Sequence, residues 1–406
     1  MKLIHKMILG FILIILFIWI VEYFAVNTSK KALRKSIETS SLLIAVKVMD
    51  EIDKDLYRRI EETQLFANNL VLQKAVLVSN RAFEHMRDFQ EYINAVDQRW
   101  TSAPKELITP FMQQIIDNDI SKQLREKIEY YKNKYGYDIF GEIIVTNKYG
   151  ANIGQTGKTT DYRQDDEEWW QIAKKDRFYI HDIGFDESAG IYSIDFGIRI
   201  DDKEGNFIGA MKVILNVEEA ISIIRGPELA EMQTEHTQTK WMLLTKDGRL
   251  IYSTGDFQFL SRISDDLLSH FKKEQKGFFI AESNSQRKRE KLITFAHSNY
   301  RKLDWILIVE HDAKEIFAPI TKLQNGIILI ALFVTVFAIL TGFLFYNAIL
   351  KPVTKLRDAA LEIGKGNLDT KIEIESKDPV RNFYIKDNDL IVETRQDRAS
   401  ISKADR

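Results

Sequence analysis

Two segments of the chain are apolar without interruption. Residues 327–346 read IILIALFVTVFAILTGFLFY, twenty residues without a charged side chain. At a rise of about 1.5 Å per residue, such a helix spans roughly 30 Å, the thickness of a bilayer's hydrocarbon core. Residues 7–21 form a shorter apolar segment, and Lys6 beside it can extend its side chain to the membrane surface. The pattern predicts transmembrane helices at 7–26 and 326–350.

The charges that flank these segments predict their orientation. A cleaved signal peptide is the alternative for the first segment, but no small-residue cleavage site follows it around 22–24. Basic residues precede the first segment and follow the second, namely Lys2, Lys6, Lys351, Lys355 and Arg357. The positive-inside rule therefore predicts that the N-terminal residues 1–6 and the C-terminal segment both lie in the cytoplasm. Residues 22–326 would then lie outside the cytoplasm.

Beyond the first apolar segment, the hydrophobic positions follow a helical period. Spacings of four and seven residues mark one helical face, at Ile37, Ile44, Val48, Ile52, Leu56 and Ile60. Neither Pro nor Gly interrupts this stretch, so we predict that one long helix leaves the membrane. A second helical stretch around 83–100 is expected to return beside it, which gives a helical region over 27–125.

After Tyr137 the period changes to two, which is typical of antiparallel strands with one covered face. Segments early in this region are echoed later in the same order. Residues 144–150 resemble 243–248, and 213–219 resemble 306–312. The matching order indicates two copies of one α+β unit, which we place at 126–232 and 233–322.

The segment after the second apolar stretch has the pattern of a coiled-coil helix. Apolar residues three and four positions apart form a seam at Val353, Leu356, Ala360 and Ile363, and with this seam the segment resembles a HAMP signal-conversion domain. Since such a seam needs a partner helix, we expect a homodimer. The second HAMP helix should follow residue 378, but Pro379 interrupts the expected heptads. We therefore predict a partial HAMP domain over 351–378 and a disordered or altered tail over 379–406.

The chain as a whole, over about residues 1–378, resembles the double Cache receptors of bacteria. The segments that carry this resemblance are 161–170, 179–190 and 305–320, together with the two apolar segments and the duplicated unit. The resemblance implies an α+β fold with two PAS-like antiparallel-sheet modules between two transmembrane helices. It also implies a sensor in the bacterial cell (inner) membrane, the sensory part of a histidine kinase or of a chemotaxis receptor.

Aromatic and acidic residues of the first module are candidate ligand contacts. The candidates are Tyr162, Glu167, Trp169, Trp170, Tyr179, Asp182 and Asp186. Indole faces with nearby carboxylates suit a cationic or amine group. The alternative is that the tryptophans are core anchors and the acids are solvated. Because adjacent side chains diverge, at most one of Trp169 and Trp170 should face a pocket.

One departure from the family pattern bears on the ligand. The amino-acid-binding subgroup carries Tyr-x4-Arg-x-Trp-Tyr, whose Arg clamps the ligand's carboxylate, whereas here Glu167 stands at the position of that Arg. The subgroup's amine-binding Asp falls near Ile214, while Asp186 matches its pocket acid. The resemblance therefore implies a cationic or amine-bearing ligand rather than an ordinary α-amino acid.

Composition narrows the remaining possibilities. The chain has 57 Lys and Arg against 59 Asp and Glu, a net charge of −2, which gives no reason to expect nucleic-acid binding. It has no cysteine, and its seven histidines show no metal-binding spacing, so we expect neither a cofactor nor a metal. Residues 152–159 resemble a phosphate-binding loop, but Asn152 replaces the required first glycine.

Three function classes remain open from the sequence. The leading hypothesis is a sensory receptor with a small extracytoplasmic ligand and a cytoplasmic output that the sequence does not identify. A membrane-anchored extracytoplasmic enzyme is an alternative, although we find no catalytic motif. A structural or adhesion protein is another, but it would not need the segment that resembles HAMP.

Overall fold

The computed structural model describes residues 3–187, 189–226, 239–282, 290–300, 302–365, 382–386 and 389–393. The chain forms two compact units. One consists of Ser36–Phe317, and the other combines Met1–Lys35 with Ala318–Arg406.

The first helix, α1, runs without a break over Leu3–Ala67, which confirms the predicted long helix. Four shorter helices follow it: α2 Leu70–Glu84, α3 Phe89–Thr101, α4 Pro110–Ile116 and α5 Asp119–Tyr135. Within α1, Val48, Ile52 and Leu56 are buried, whereas Ile44 is only half-buried. The predicted face of the helix is therefore the one that packs.

The first sheet contains five antiparallel strands in the order β2-β1-β5-β4-β3. Its strands are β1 Phe140–Asn147, β2 Asn152–Gln155, β3 Phe178–Asp186, β4 Ile191–Asp201 and β5 Phe207–Asn216. Helix α6, Glu168–Asp176, lies between β2 and β3 in the chain, and α7, Glu218–Ile224, follows β5. We call this sheet with its helices the distal module.

The second sheet repeats the topology of the first, in the order β7-β6-β10-β9-β8. Its strands are β6 Lys240–Leu244, β7 Leu250–Ser253, β8 Lys276–Glu282, β9 Glu290–His297 and β10 Ile306–Asp312. Helix α8, Asp265–Phe271, precedes β8, and the short α9, Ala313–Ile316, follows β10. The equal strand order confirms two copies of one α+β unit, and we call the second copy the proximal module.

One face of each sheet packs into a single core that includes α1. Strand residues such as Phe196 and Leu215 in the first sheet and Leu243 and Leu307 in the second belong to the same buried cluster as Ile52. The alternation of apolar and polar residues along the strands produces this arrangement, because successive side chains point to opposite faces. The residues on the other face of each sheet do not belong to this core.

The remaining unit contains the second apolar helix. Helix α10 covers Ala318–Phe345, continues through a π-helical turn over Tyr346–Leu350 and joins α11, Lys351–Gly364. By length and composition, helical segments within Ile8–Ala67 and Ala318–Glu362 could each cross a membrane. Inside this unit, the indole N–H of Trp19 donates to the hydroxyl of Thr335 at 3.2 Å.

Part of the C-terminal tail, which we expect to be disordered or altered, forms strands. Strands β11 Asn382–Lys386 and β12 Asp389–Glu393 pair as an antiparallel hairpin. Residues 366–381, where we expect the second HAMP helix to be interrupted, lie outside the described residues.

Candidate ligand-binding site

The face of the distal sheet that is turned away from α1 carries acidic side chains at its centre. Glu142 on β1 and Asp195 on β4 both pair with Ile214 on β5, one from each side. Directly opposed residues of antiparallel strands share a face. Two carboxyl groups therefore flank Ile214 on one surface, and Glu142 is only 5% exposed.

A lysine lies beside this acidic row, two residues before Ile214 on β5. Lys212 of β5 shares the face, and its ammonium group lies 3.3 Å from the Asp195 carboxylate. The hydroxyl of Ser193 donates to the same carboxylate at 3.0 Å. Both charged side chains keep about a fifth of their surface exposed, so the ion pair is accessible to a small molecule.

A buried amide also lies on this face. Ile144 pairs with Lys212 on one side and with Gln155 of β2 on the other. The Gln155 side chain is fully buried, and its Nε2 has no hydrogen-bond partner in the described part of the chain. Leaving a buried donor unpaired costs about 1–3 kcal/mol, which a bound acceptor group could recover.

Helix α6 covers the adjoining part of the face with two tryptophans. The indole of Trp170 donates to the hydroxyl of Thr146 at 2.9 Å, and that of Trp169 donates to the side-chain oxygen of Gln164 at 3.2 Å. Gly197 makes this approach possible, because a Cβ there would lie 2.9 Å from the Trp169 carbonyl oxygen. The tryptophans thus fix α6 on the sheet beside the charged residues.

The segment leading into α6 adds a further acid. The Gln164 side chain, which accepts from Trp169, donates through its amide to the carboxylate of Asp161. Burial first, and then the negative charge of Glu167, raise the pKa of Asp161 to about 6. A positively charged group bound here would relieve this repulsion.

Replacing Asp161 with Asn should stabilise the fold near neutral pH. The pKa of Asp161 is higher in the folded state, about 6, than its ordinary value of 3.8, so the free energy of unfolding falls as pH rises between these two values. Above pH 6 the ionised carboxylate lowers the stability of the fold, whereas a neutral Asn does not. Asp161→Asn should therefore raise the free energy of unfolding by about 1 kcal/mol at pH 7.5, after allowance for partial exposure. Urea unfolding at pH 7.5 and pH 4 measures this, and an equal effect at both values would contradict it.

The four predicted aromatic candidates are all at least half-buried. Trp169 and Trp170 are both buried, and Tyr179 packs against them from β3. Tyr162 is also buried, but it belongs to a different cluster, with its ring 5.8 Å from Trp100 and 5.7 Å from Phe111. The structure therefore brings three of the aromatic candidates together and places Tyr162 among helices α3 and α4.

The acidic candidates are dispersed. Glu167 is exposed at the N-cap of α6. Asp186 lies at the end of β3, where its carboxylate accepts from the amide of Ala189 at 2.8 Å. Asp182 accepts from the indole of Trp305 in the proximal module at 2.8 Å, and burial raises its pKa. Asp182 thus joins the two modules.

Sequence reasoning did not find the charged residues at the centre of the face. Asp195 and Lys212 lie on the paired consecutive strands β4 and β5, but Glu142 lies on β1, far from them in sequence, and meets them only through the sheet order. One signal was available, since Glu142 in β1 and Lys212 in β5 are each the one charged residue of a mainly apolar strand. A charge inside such a strand is expected to be paired or functional.

The equivalent face of the proximal sheet has different chemistry. Its centre is filled by apolar side chains of β6, β9 and β10, which pack against Leu268 and Phe271 of α8. These strand residues are Met242, Leu244, Ile293, Phe295, Ile306 and Ile308. The two modules therefore share a topology, but the proximal face is mainly apolar, with the Lys291–Glu310 ion pair beyond the apolar residues of β9 and β10.

Two known domain families match this chain. Residues 29–320 match the profile of the Cache domain, dCache_1. The chain belongs to the Cache family. Residues 344–382 match the HAMP domain. The chain is thus a sensory receptor with a Cache ligand-binding domain and a HAMP domain, as the resemblance implied.

Solved structures that align with this chain include ligand-binding domains of other proteins. The ligand-binding domain of the Campylobacter jejuni chemoreceptor Tlp3, in complex with L-valine, is 15% identical, with a TM-score of 0.41, and the match covers 71% of this chain and 97% of that one. An extracellular ligand-binding receptor from Desulfohalobium retbaense is 11% identical, with a TM-score of 0.35, over 57% of this chain and 39% of that one. No curated protein sequence matches this chain.

Proposed function

We propose that the receptor spans the membrane twice and binds a small extracytoplasmic ligand on the charged face of the distal sheet. It then passes the signal through the second apolar helix and HAMP to a cytoplasmic output. The observation that carries the proposal is the cluster of Glu142, Asp195 and Lys212 on a half-buried face. Charged groups are rarely placed in such a position without a partner or a function.

The charges favour a ligand with a cationic or amine group. Glu142 and Asp195 lie on the sheet, and Asp161 and Glu167 lie on the segment that leads into α6. Lys212 is the one base among these residues. A carboxylate ligand would meet an excess of like charge in a partly desolvated site, whereas an ammonium would meet several acceptors.

A path for the signal follows from chain order. Asp182 on β3 binds Trp305, and Trp305 directly precedes β10, which continues through α9 into the second apolar helix. A ligand can drive such a path only if it binds two states of the receptor with different affinity. Helix displacements of about 1–2 Å are the usual size of such transitions.

Calorimetry on the full chain in detergent tests the ligand class, with choline, putrescine and succinate as probes. Choline or putrescine should bind, and Glu167→Gln should weaken binding about two- to fivefold, since an exposed ion pair contributes about 0.2–1 kcal/mol. Asp247→Asn is the matched control, an exposed acid of the proximal module paired with Arg249. Tight binding of succinate alone would contradict the charge argument.

The HAMP segment predicts a homodimer. Val353, Leu356 and Ala360 are exposed on α11, as expected of a seam that lacks its partner helix in a single chain. Single cysteines at these positions and at Ile363 should form crosslinks between subunits in native membranes, and the chain has no other cysteine. Efficient crosslinking at Arg357 and Glu362 instead would place the seam on another face.

A further inference from the structure

The loop between α3 and α4, residues 102–109, is held by one lysine. The ammonium group of Lys158 donates to main-chain carbonyl oxygens of this loop, at 2.6 Å to Pro104 and 3.0 Å to Leu107. It also lies 3.4 Å from the carbonyl oxygens of Ala103 and Lys105. Lys158 belongs to the segment that resembles a phosphate-binding loop, but its partners here are four carbonyl groups of its own chain.

The same loop also contacts the opposite side of the sheet. The side chain of Lys105 donates to the carbonyl oxygen of Glu187, in the turn between β3 and β4. Lys158 follows β2, and β2 and β3 are the two edge strands of the sheet. With neighbouring strands about 4.8 Å apart, these edges lie roughly 19 Å from each other. Residues 102–109 therefore connect loops that leave from opposite edges.

Both of these loops leave from the end of the sheet that is nearer to Glu142. The residue after β2, Thr156, hydrogen-bonds to the main chain of Ile143. In the β3–β4 turn, Ala189 reaches Gly141 on β1, where an added Cβ would lie 2.9 Å from the Ala189 Cβ. Ile143 and Gly141 are the direct neighbours of Glu142. The three loops thus converge beside the acidic row.

We propose that residues 102–109 form a strap that closes the ligand site, and that Lys158 is the positioning residue that holds the strap shut. This proposal rests on the proposed function, because it concerns access to the same charged face. Lys158 needs no contact with the ligand for this role. Its removal leaves four carbonyl groups without their shared donor, so the strap opens more often while Glu142, Asp195 and Lys212 stay in place.

The absence of cysteine allows a test that needs no ligand. Ser193 is buried, lies on the charged face and hydrogen-bonds to Asp195, so Ser193→Cys is a nearly isosteric reporter on the face that the strap would close. Its rate of labelling by N-ethylmaleimide would be measured in the full chain in detergent. With Lys158→Met, labelling should accelerate about tenfold or more, as expected for a local opening made easier by about 1.4 kcal/mol. Lys158→Arg should restore much of the protection.

Two controls separate a strap from general loosening. Lys148→Met removes another lysine of the same module, which pairs with Glu84 at 2.6 Å, and should leave the labelling rate unchanged. A second reporter, Thr294→Cys, lies fully buried in the proximal sheet and should stay protected in the Lys158→Met variant.

Several outcomes would overturn the strap. These are an unchanged Ser193→Cys rate in Lys158→Met, an equal acceleration of the Thr294→Cys reporter, or an equal effect of Lys148→Met. Failure of the proposed function looks different. In that case the Lys158-dependent protection persists, but choline and putrescine do not bind.

Discussion

Replacing Arg59 with Met should lower the free energy of unfolding of the Ser36–Phe317 unit by about 3–5 kcal/mol, the usual cost of removing one partner of a buried ion pair. Arg59 lies on α1 and is fully buried, and its guanidinium contacts the carboxylate of Glu219 on α7 at 2.5–2.6 Å. The loss would leave the Glu219 carboxylate buried and without its counter-charge.

The surrounding groups make this pair part of a larger network. The hydroxyl of Tyr137 donates to the second oxygen of Glu219, and that of Tyr131 donates to Glu62 at 2.7 Å. The Arg59 guanidinium also lies 4.7 Å from the ring centre of Tyr135. The guanidinium contacts both carboxylates of this network, Glu219 and, at 3.2 Å, Glu62, so a neutral side chain of similar length cannot replace it.

The adjacent arginine provides a matched control. Arg58 is about half exposed and pairs with Asp55 one turn earlier on the same helix. Arg58→Met should change stability by less than about 1 kcal/mol, since exposed ion pairs contribute little. Urea unfolding of the full-length variants, followed by circular dichroism, measures both effects. Similar losses for Arg58→Met and Arg59→Met would show that helix propensity, not the buried pair, sets the stability.

The elements of this receptor were predictable where burial follows a simple period. The buried face of α1 repeats every three to four residues, and Ile194, Phe196, Ile198 and Ile200 on β4 alternate with polar positions. Such patterns report which side of an element is covered. The duplication could be predicted for the same reason. The two sheets have the same strand order, so equivalent strands are buried in each copy and their apolar patterns recur in the same order along the chain.

The candidate site was less predictable because it depends on strand pairing. Glu142 becomes a neighbour of Asp195 and Lys212 only through the order β1-β5-β4. The role of Asp182 depends on an irregularity, since the pairing of β3 with β4 shifts between His181 and Gly184. A period of two does not anticipate such a shift, which turns the carboxylate to Trp305 in the other module.

Opposite effects are expected from the two members of the ion pair on the charged face. Asp195→Asn should weaken binding of choline or putrescine about ten- to a hundredfold, the loss of a charge-assisted contact of about 1.5–3 kcal/mol. It also leaves Lys212 without this carboxylate and facing the incoming cation. Lys212→Met should instead strengthen binding severalfold, because it frees Asp195 for the ligand and removes a like charge.

The proximal sheet offers a matched pair for this test. Lys291 on β9 and Glu310 on β10 form an ion pair between adjacent strands, as Lys212 and Asp195 do in the distal sheet. Lys291→Met should leave the affinity for both probes unchanged. Calorimetry on the three variants and the parent chain distinguishes the possibilities. Weaker binding in both Asp195→Asn and Lys212→Met would mean that the ligand uses both charges, and unchanged binding in both would place the site elsewhere. A gain with Lys212→Met alone requires that the lysine competes with the ligand for Asp195, which is the arrangement that the 3.3 Å contact implies.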